Sequence, residues 1–169
     1  MSVMWSSDGY SRPAFAIAPA SDQESVWDYP RPPRIARDHR HVLVTAGDAV
    51  LADTHQALRV LETASPPTFY LPLRDICVEK LLPAKGASWC EWKGRARYWS
   101  VDAAPVAWSY DDPLPGFEAL RDHVGFYPGR VACFVNAVRV AAQPGAFYAG
   151  WVTPEIVGPW KGEGGTEGW

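Results

Sequence analysis

From His41 onward the chain is a succession of short runs in which apolar and polar residues alternate, each soon closed by Pro, Gly, Asp or Asn. A period of two sends successive side chains to opposite faces of an extended strand, and runs this short leave little room for a long amphipathic helix. "HVLVT" (His41 to Thr45) and "AVLAD" (Ala49 to Asp53) flank Ala46-Gly47-Asp48. Gly can take the positive φ of a tight turn, so this stretch predicts a hairpin. "QALRVLET" (Gln56 to Thr63) puts Leu58, Val60 and Glu62 on one strand face against Arg59 and Leu61 on the other. A helix would gather Ala57, Leu58 and Leu61 instead; the strand is the reading adopted.

The same reasoning makes "TFYLP" a strand ending at Pro72, and "DICVEKLL" (Asp75 to Leu82) a half-buried one. "RARYWSV" and "PVAWSY" enclose Asp102-Ala103-Ala104 and predict a second hairpin with aromatic pairs across it. "FEALRDHV", with Phe117, Leu120 and Val124 at helical spacing, is the clearest helix candidate, and "VACFVNAVRV" closes the β pattern. The expected fold is mainly β: a single compact domain of curved antiparallel sheets built from hairpins, with one or two short helices. Residues 1–22, poor in periodicity, are expected to be a flexible leader. Residues 23–169 form the domain, including a Gly-rich C-terminal tail docked through Trp160 and Trp169.

A chain of 169 residues can bury a real core, and a formal net charge of -3 offers no positive field for a phosphate backbone. No apolar run approaches the roughly 20 residues that span a bilayer. "RPAFAIAPAS" is broken by Pro13 and Pro19 and does not read as a signal peptide, so a cytoplasmic location is expected, with no nucleic-acid or membrane partner. Cys77, Cys90 and Cys133 contain no C-x-x-C pair and predict neither a disulfide framework nor a zinc ribbon.

The unusual wealth of aromatic residues, 9 Trp, 7 Tyr and 6 Phe, serves either a core or a ligand pocket. Gly-rich "GPWKGEGGTEGW" lacks the spacing and the following helix of a phosphate loop. His39 and His41 have no third ligand in register, so no metal and no cofactor is expected. Cys90 would be a nucleophile if Lys93 or Arg95 favoured its thiolate; a small core thiol is the simpler reading, and Cys77 and Cys133 are expected in the core. Glu62 is the better candidate, because an inward carboxyl among aromatics can serve as general acid or base. It could equally be a buried acid tied to Arg59, Lys93, Arg95 or Arg97. Lys93, Arg95 and Arg97 alternate along one edge as a cationic stripe able to hold a ligand anion, and Tyr98, Trp99, Trp108 and Tyr110 ride the arms of one hairpin.

Taken in series, "ESVWDYPRPPRI", "HVLVTAGDAVLADTHQALRVLETASPPTFYLPLRDI", "CEWKGRARYWSV", "AWSYDDPLPG" and "VGFYPGRV" resemble the family known as domain of unknown function 427. The resemblance runs from about Glu24 to the C-terminus. It marks an acid followed by an aromatic and Pro, here Glu62, Tyr70 and Pro72, and a second hallmark at Cys90, Lys93, Gly94, Tyr98 and Trp99. The family carries a nucleotidyltransferase-like label. That chemistry needs a Gly-Ser turn and a spaced carboxylate pair holding Mg²⁺, and no Gly-Ser dipeptide followed by Asp-x-Asp is present, so this activity is not expected.

The leading expectation is a metal-independent enzyme acting by acid/base catalysis on a small organic molecule, of isomerase, lyase or hydrolase type. Glu62, Lys93 and Tyr70 would be catalytic, with Arg59, Arg97, Tyr98, Trp99, Trp108 and Tyr110 binding the substrate. The alternatives are a ligand-binding module without turnover and a protein-interaction domain, and a homodimer is left open.

Overall fold

The computed structural model describes residues 9–169. Its strands, in chain order, begin with β1 (Glu24–Ser25), β2 (Arg34–Asp38), β3 (Val42–Ala46), β4 (Ala49–Thr54), β5 (Ala57–Leu61) and β6 (Thr68–Pro72). They continue with β7 (Leu82–Cys90), β8 (Gly94–Ser100), β9 (Pro105–Ser109), β10 (His123–Phe126) and β11 (Ala132–Val135). Two-residue strands complete the set: β12 (Val138–Arg139), β13 (Ala141–Ala142), β14 (Trp151–Val152) and β15 (Ile156–Val157). The main sheet is 7-stranded and antiparallel in the order β2-β5-β6-β10-β9-β8-β7. A 4-stranded sheet, β12-β11-β3-β4, lies against it, and the protein is mainly β as expected.

The hairpins read from the sequence form. Ala46 pairs with Ala49 around Gly47 at φ 57, and Ser100 pairs with Pro105 at the β8–β9 turn. Gln56 to Thr63 contributes strand β5, with Ala57, Arg59 and Leu61 on one face and Leu58 and Val60 on the other. Alternation on β6 sends Phe69 and Leu71 into the core between the sheets, where they meet Val42, Val44, Leu51, Cys133 and Val135. Trp151 closes this core: its ring stacks on Phe69 at 4.5 Å and its Nε1–H bonds the Phe126 carbonyl at 3.0 Å. Replacing a fully buried Trp of this kind by Ala removes about 3–5 kcal/mol.

Two expectations need correction. "FEALRDHV" contains only a 3-10 turn, Glu118–Leu120, and the described residues hold no α-helix. Gly116 at φ 93 and Asp122 at φ 58 interrupt the run at both ends, and from His123 the chain joins the main sheet. Phe117 and Leu120 are nonetheless buried together, since positions i and i+3 eclipse in a 3-10 turn. "DICVEKLL" is likewise not a strand. It holds the end of one 3-10 turn (Leu73–Asp75) and the whole of another (Val78–Lys80), and β7 starts only at Leu82.

Residues 1–8 of the expected leader lie outside the described residues. Beyond them the segment rests on the body. Arg12 pairs with Asp28 at 2.7 Å, and Phe15 stacks on Trp169 at 5.0 Å while meeting Trp27 edge-on. Trp169 also packs beside Trp27, so the C-terminal tail docks as its aromatics suggested.

Candidate functional site

The cavity-facing side of the main sheet is set by alternation and by one missing side chain. Tyr70 on β6 and Trp108 on β9 are both register partners of Gly125 on β10. A Cβ at Gly125 would meet the Trp108 ring at 2.5 Å, so the indole lies across the space a side chain would fill. It thereby reaches Tyr70, edge-on at 5.7 Å, and donates its Nε1–H to the Tyr70 hydroxyl at 3.3 Å. Tyr110 stands tilted to Tyr70 at 6.3 Å, and Tyr127 flanks Trp108 at 4.7 Å.

These rings wall a half-open cavity of about 670 Å³, a volume within the range of small-molecule sites. Its polar contributors come from several elements. Glu62, just past the end of β5, lies on the Leu58–Val60 side of the chain and lines the cavity. Tyr98 on β8 exchanges a hydrogen bond of 2.6 Å with Ser88 on β7. Lys93 arrives from loop 91–93, which joins β7 to β8. Gly94 takes φ 103, its Cβ position would press Leu114 at 3.2 Å, and Leu114 donates its N–H to the Lys93 carbonyl at 3.0 Å. The turn folds Lys93 inward, its ammonium 5.8 Å from the ring centres of both Tyr70 and Tyr110.

Glu62, Tyr70, Lys93, Tyr98, Trp108 and Tyr110 therefore surround one space. Arg59, Arg97 and Trp99 do not. Arg59 leaves the opposite face of β5, where it binds Glu24 at 2.6 Å and approaches Asp38 at 3.4 Å. Arg97 caps the Trp99 ring at 4.3 Å and pairs with Asp111, while Trp99 donates to Ser109 at 2.9 Å. The cationic stripe is thus split: alternation along β8 turns Arg97 away from Tyr98, and Lys93 belongs to the preceding loop.

Other residues sit where the sequence did not indicate. Arg31, in the proline-rich run Tyr29 to Arg34, has a buried side chain 3.6 Å from Glu62 and donates to the Thr63 and Trp169 carbonyls. None of the cations considered from sequence is the acid's partner. Segment 146–149 covers part of the cavity mouth, and buried Gln143 fastens its base by accepting from Gly150 N–H at 3.0 Å and donating to the Lys161 carbonyl at 2.8 Å. Its aromatic pair, Phe147-Tyr148, was the only available signal. Cys90, expected in the core, is half-buried on the cavity wall; Cys77 is half-buried as well, and Cys133 alone is fully buried. His41 bonds Asp53 at 2.7 Å and stacks on His55 away from the cavity. Among the described residues no group of His, Cys, Asp or Glu is placed to hold a metal ion.

The electrostatics favour a protonated interior. Burial opposes the Lys93 charge, but the Tyr70 hydroxyl, ahead of Cys90 and Glu62, outweighs it and holds the ammonium above the usual lysine value. Burial, reinforced by Tyr70, drives the Tyr110 phenol far upward, and burial with Tyr98 nearby pushes Tyr127 up to about 12. At neutral pH the cavity thus presents an ammonium and phenolic O–H donors.

Among the described residues no helix is long and apolar enough to cross a membrane. No curated protein matches the chain. A family model described as domain of unknown function (DUF427) matches residues 34–137, which run from β2 through the turn after β11 and carry every cavity-lining residue named above except Gln143 and segment 146–149. Covering more than half of the chain, that match establishes that this protein belongs to the DUF427 family.

Proposed function

We propose that the protein is an enzyme that moves a proton on a small organic molecule bound in the aromatic cavity. The observation that carries this reading is the convergence of a carboxylate (Glu62), an ammonium (Lys93) and a phenol (Tyr70) on one space of about 670 Å³. Glu62 takes a proton from a carbon next to a carbonyl. The C–H electron pair moves into the carbonyl, and the Lys93 ammonium stabilises the oxyanion that develops. Tyr70, held by Trp108, directs its hydroxyl toward the same charge. In a β,γ-unsaturated substrate the resulting dienolate takes the proton back at its γ carbon, which shifts the double bond and gives isomerisation. Where the β carbon carries a leaving group, the enolate pair forms the α,β double bond and expels that group with its bonding electrons, which gives elimination. Arg31 orients Glu62 from the side.

The test is solvent deuterium exchange into a panel of enolisable carbonyl compounds, followed by proton NMR. Glu62→Gln is expected to slow exchange by about 10²-fold or more with little change in binding. Wild-type exchange no faster than that of the variant would sink the catalytic reading.

One observation supports a second reading, binding without turnover. Arg31, itself held by two backbone carbonyls, engages Glu62 in an ion pair and could reserve it for structure. In that case the variant loses stability and no exchange is seen in either protein.

A further inference from the structure

Lys93 and the cavity mouth differ in a way that describes the ligand. At Lys93 a half-buried ammonium faces rings and hydroxyls, and no carboxylate of the described residues comes within ion-pair distance of it. A desolvated charge of this kind favours a ligand group of opposite sign. Tyr70 and Tyr110 add hydroxyl groups beside it. At the mouth, by contrast, two large rings stand in solvent: Trp89 on β7 is 66% exposed and Phe147 on segment 146–149 is 80% exposed, and both line the same cavity. Exposed rings on two separate elements around one opening suit a ligand with a flat apolar face.

We infer that the ligand is a planar, singly charged organic acid, its carboxylate at Lys93 and its flat body running out past Trp89 and Phe147. The inner end holds a single ammonium with phenols around it. The other cations that line the cavity, Lys85 and Arg130, are exposed, and Arg130 stacks on Tyr127 at 4.1 Å and donates to the Pro105 carbonyl, so one negative charge is matched at Lys93 where a phosphate dianion would be left half-neutralised. An amine of the same shape is repelled by Lys93. The inference rests on the proposed function only in taking this cavity as the site; it concerns recognition and requires no turnover.

The experiment is calorimetric titration of the full chain with 2-naphthoate, 2-naphthamide, cyclohexanecarboxylate and phenyl phosphate. Wild type is expected to bind naphthoate about tenfold or more tightly than the neutral amide, since a charge-assisted hydrogen bond replaces a neutral one. It should also prefer naphthoate over the non-planar acid and over the dianion. Lys93→Met should erase the preference for acid over amide, and Lys93→Arg should restore part of it. Trp89→Ala and Phe147→Ala, both at exposed positions, should weaken naphthoate by about three- to tenfold while hardly changing cyclohexanecarboxylate. Should Lys93→Met fail to fold, the four-ligand comparison on wild type and the two mouth variants still decide.

Equal affinity for naphthoate and naphthamide, a Lys93→Met variant with wild-type preference, or no binding of any probe would each overturn the inference. So would tighter binding of the phosphate. A wild type that prefers naphthoate yet exchanges no deuterium in any enolisable compound overturns the catalytic reading and leaves this one standing.

Discussion

Trp108 donates its indole N–H to the Tyr70 hydroxyl at 3.3 Å although 38 positions separate the two residues, and it does so across Gly125. That pair sets the floor of the cavity, and its geometry depends on a side chain that is not there.

Gly125→Ala is therefore the most local probe of the floor. The new methyl would overlap the Trp108 ring, at 2.5 Å from its nearest carbon, and the ring must swing away from Tyr70. A loss of about 1–3 kcal/mol is expected, as for other overpacked sites. Urea unfolding measures it, and near-ultraviolet circular dichroism should report the displaced indole. An unchanged spectrum and midpoint would show that the ring has room to give.

Arg59 is expected to matter for stability and not for ligand. Its guanidinium joins Glu24 and the buried Asp38 on the face of β5 turned from the cavity. Arg59→Met leaves Asp38 with Arg40 alone, and removing one partner of a buried ion pair costs about 3–5 kcal/mol. Naphthoate affinity should stay within twofold or so of wild type. Selective loss of affinity with unchanged stability would return Arg59 to the binding site.

The same acids shape the response to low pH. Burial raises the Asp38 carboxyl, but the Arg40 guanidinium and backbone N–H, with Arg59 behind them, hold it below the usual aspartate value. Arg40 likewise outweighs burial at Glu155, and Arg59 with Tyr29 does so at Glu24. The unfolded chain takes up these protons at higher pH than the folded one. The stability they contribute is thus present above the unfolded values, 3.8 for Asp38 and 4.5 for the two Glu, and is lost as pH falls through the folded values. Arg40→Met, which breaks contacts to both Asp38 and Glu155, should lower stability at pH 7 and flatten the acid limb. Urea midpoints of the two proteins that run parallel from neutral pH to about pH 3 would contradict this linkage.

The thiols offer a check on burial. Burial pushes Cys133 up to about 12, so it should resist a thiol reagent at pH 8 until the protein unfolds. Cys77 and Cys90 are half-buried and should be labelled in the native state, and naphthoate should slow labelling of Cys90 because that thiol lines the cavity. Peptide mass mapping resolves the sites. Early modification of Cys133 would place it outside the core.

Much of the fold was legible because alternation is local. The period of two identified β5 and placed Leu58 and Val60 on one face with Arg59 on the other, and it separated Tyr98 from Trp99 on β8. The same rule misread "DICVEKLL", whose alternation is also met by two successive 3-10 turns. Helical spacing misread "FEALRDHV", where Gly116 just before the run and Asp122 within it take positive φ and sheet pairing begins at His123.

By itself, then, the sequence determined a β-rich chain, its hairpins, and which side chains share a strand face, since each follows from contacts within a few residues. Only the tertiary structure decided which of those faces meet. The order β6-β10-β9 brought Tyr70 to Trp108, a glycine at the next loop turned Lys93 inward, and Arg31 reached Glu62 from a segment with no periodicity at all. Pairings of this kind depend on loop closure, packing and charge satisfaction across long separations, and a one-dimensional pattern carries no term for them.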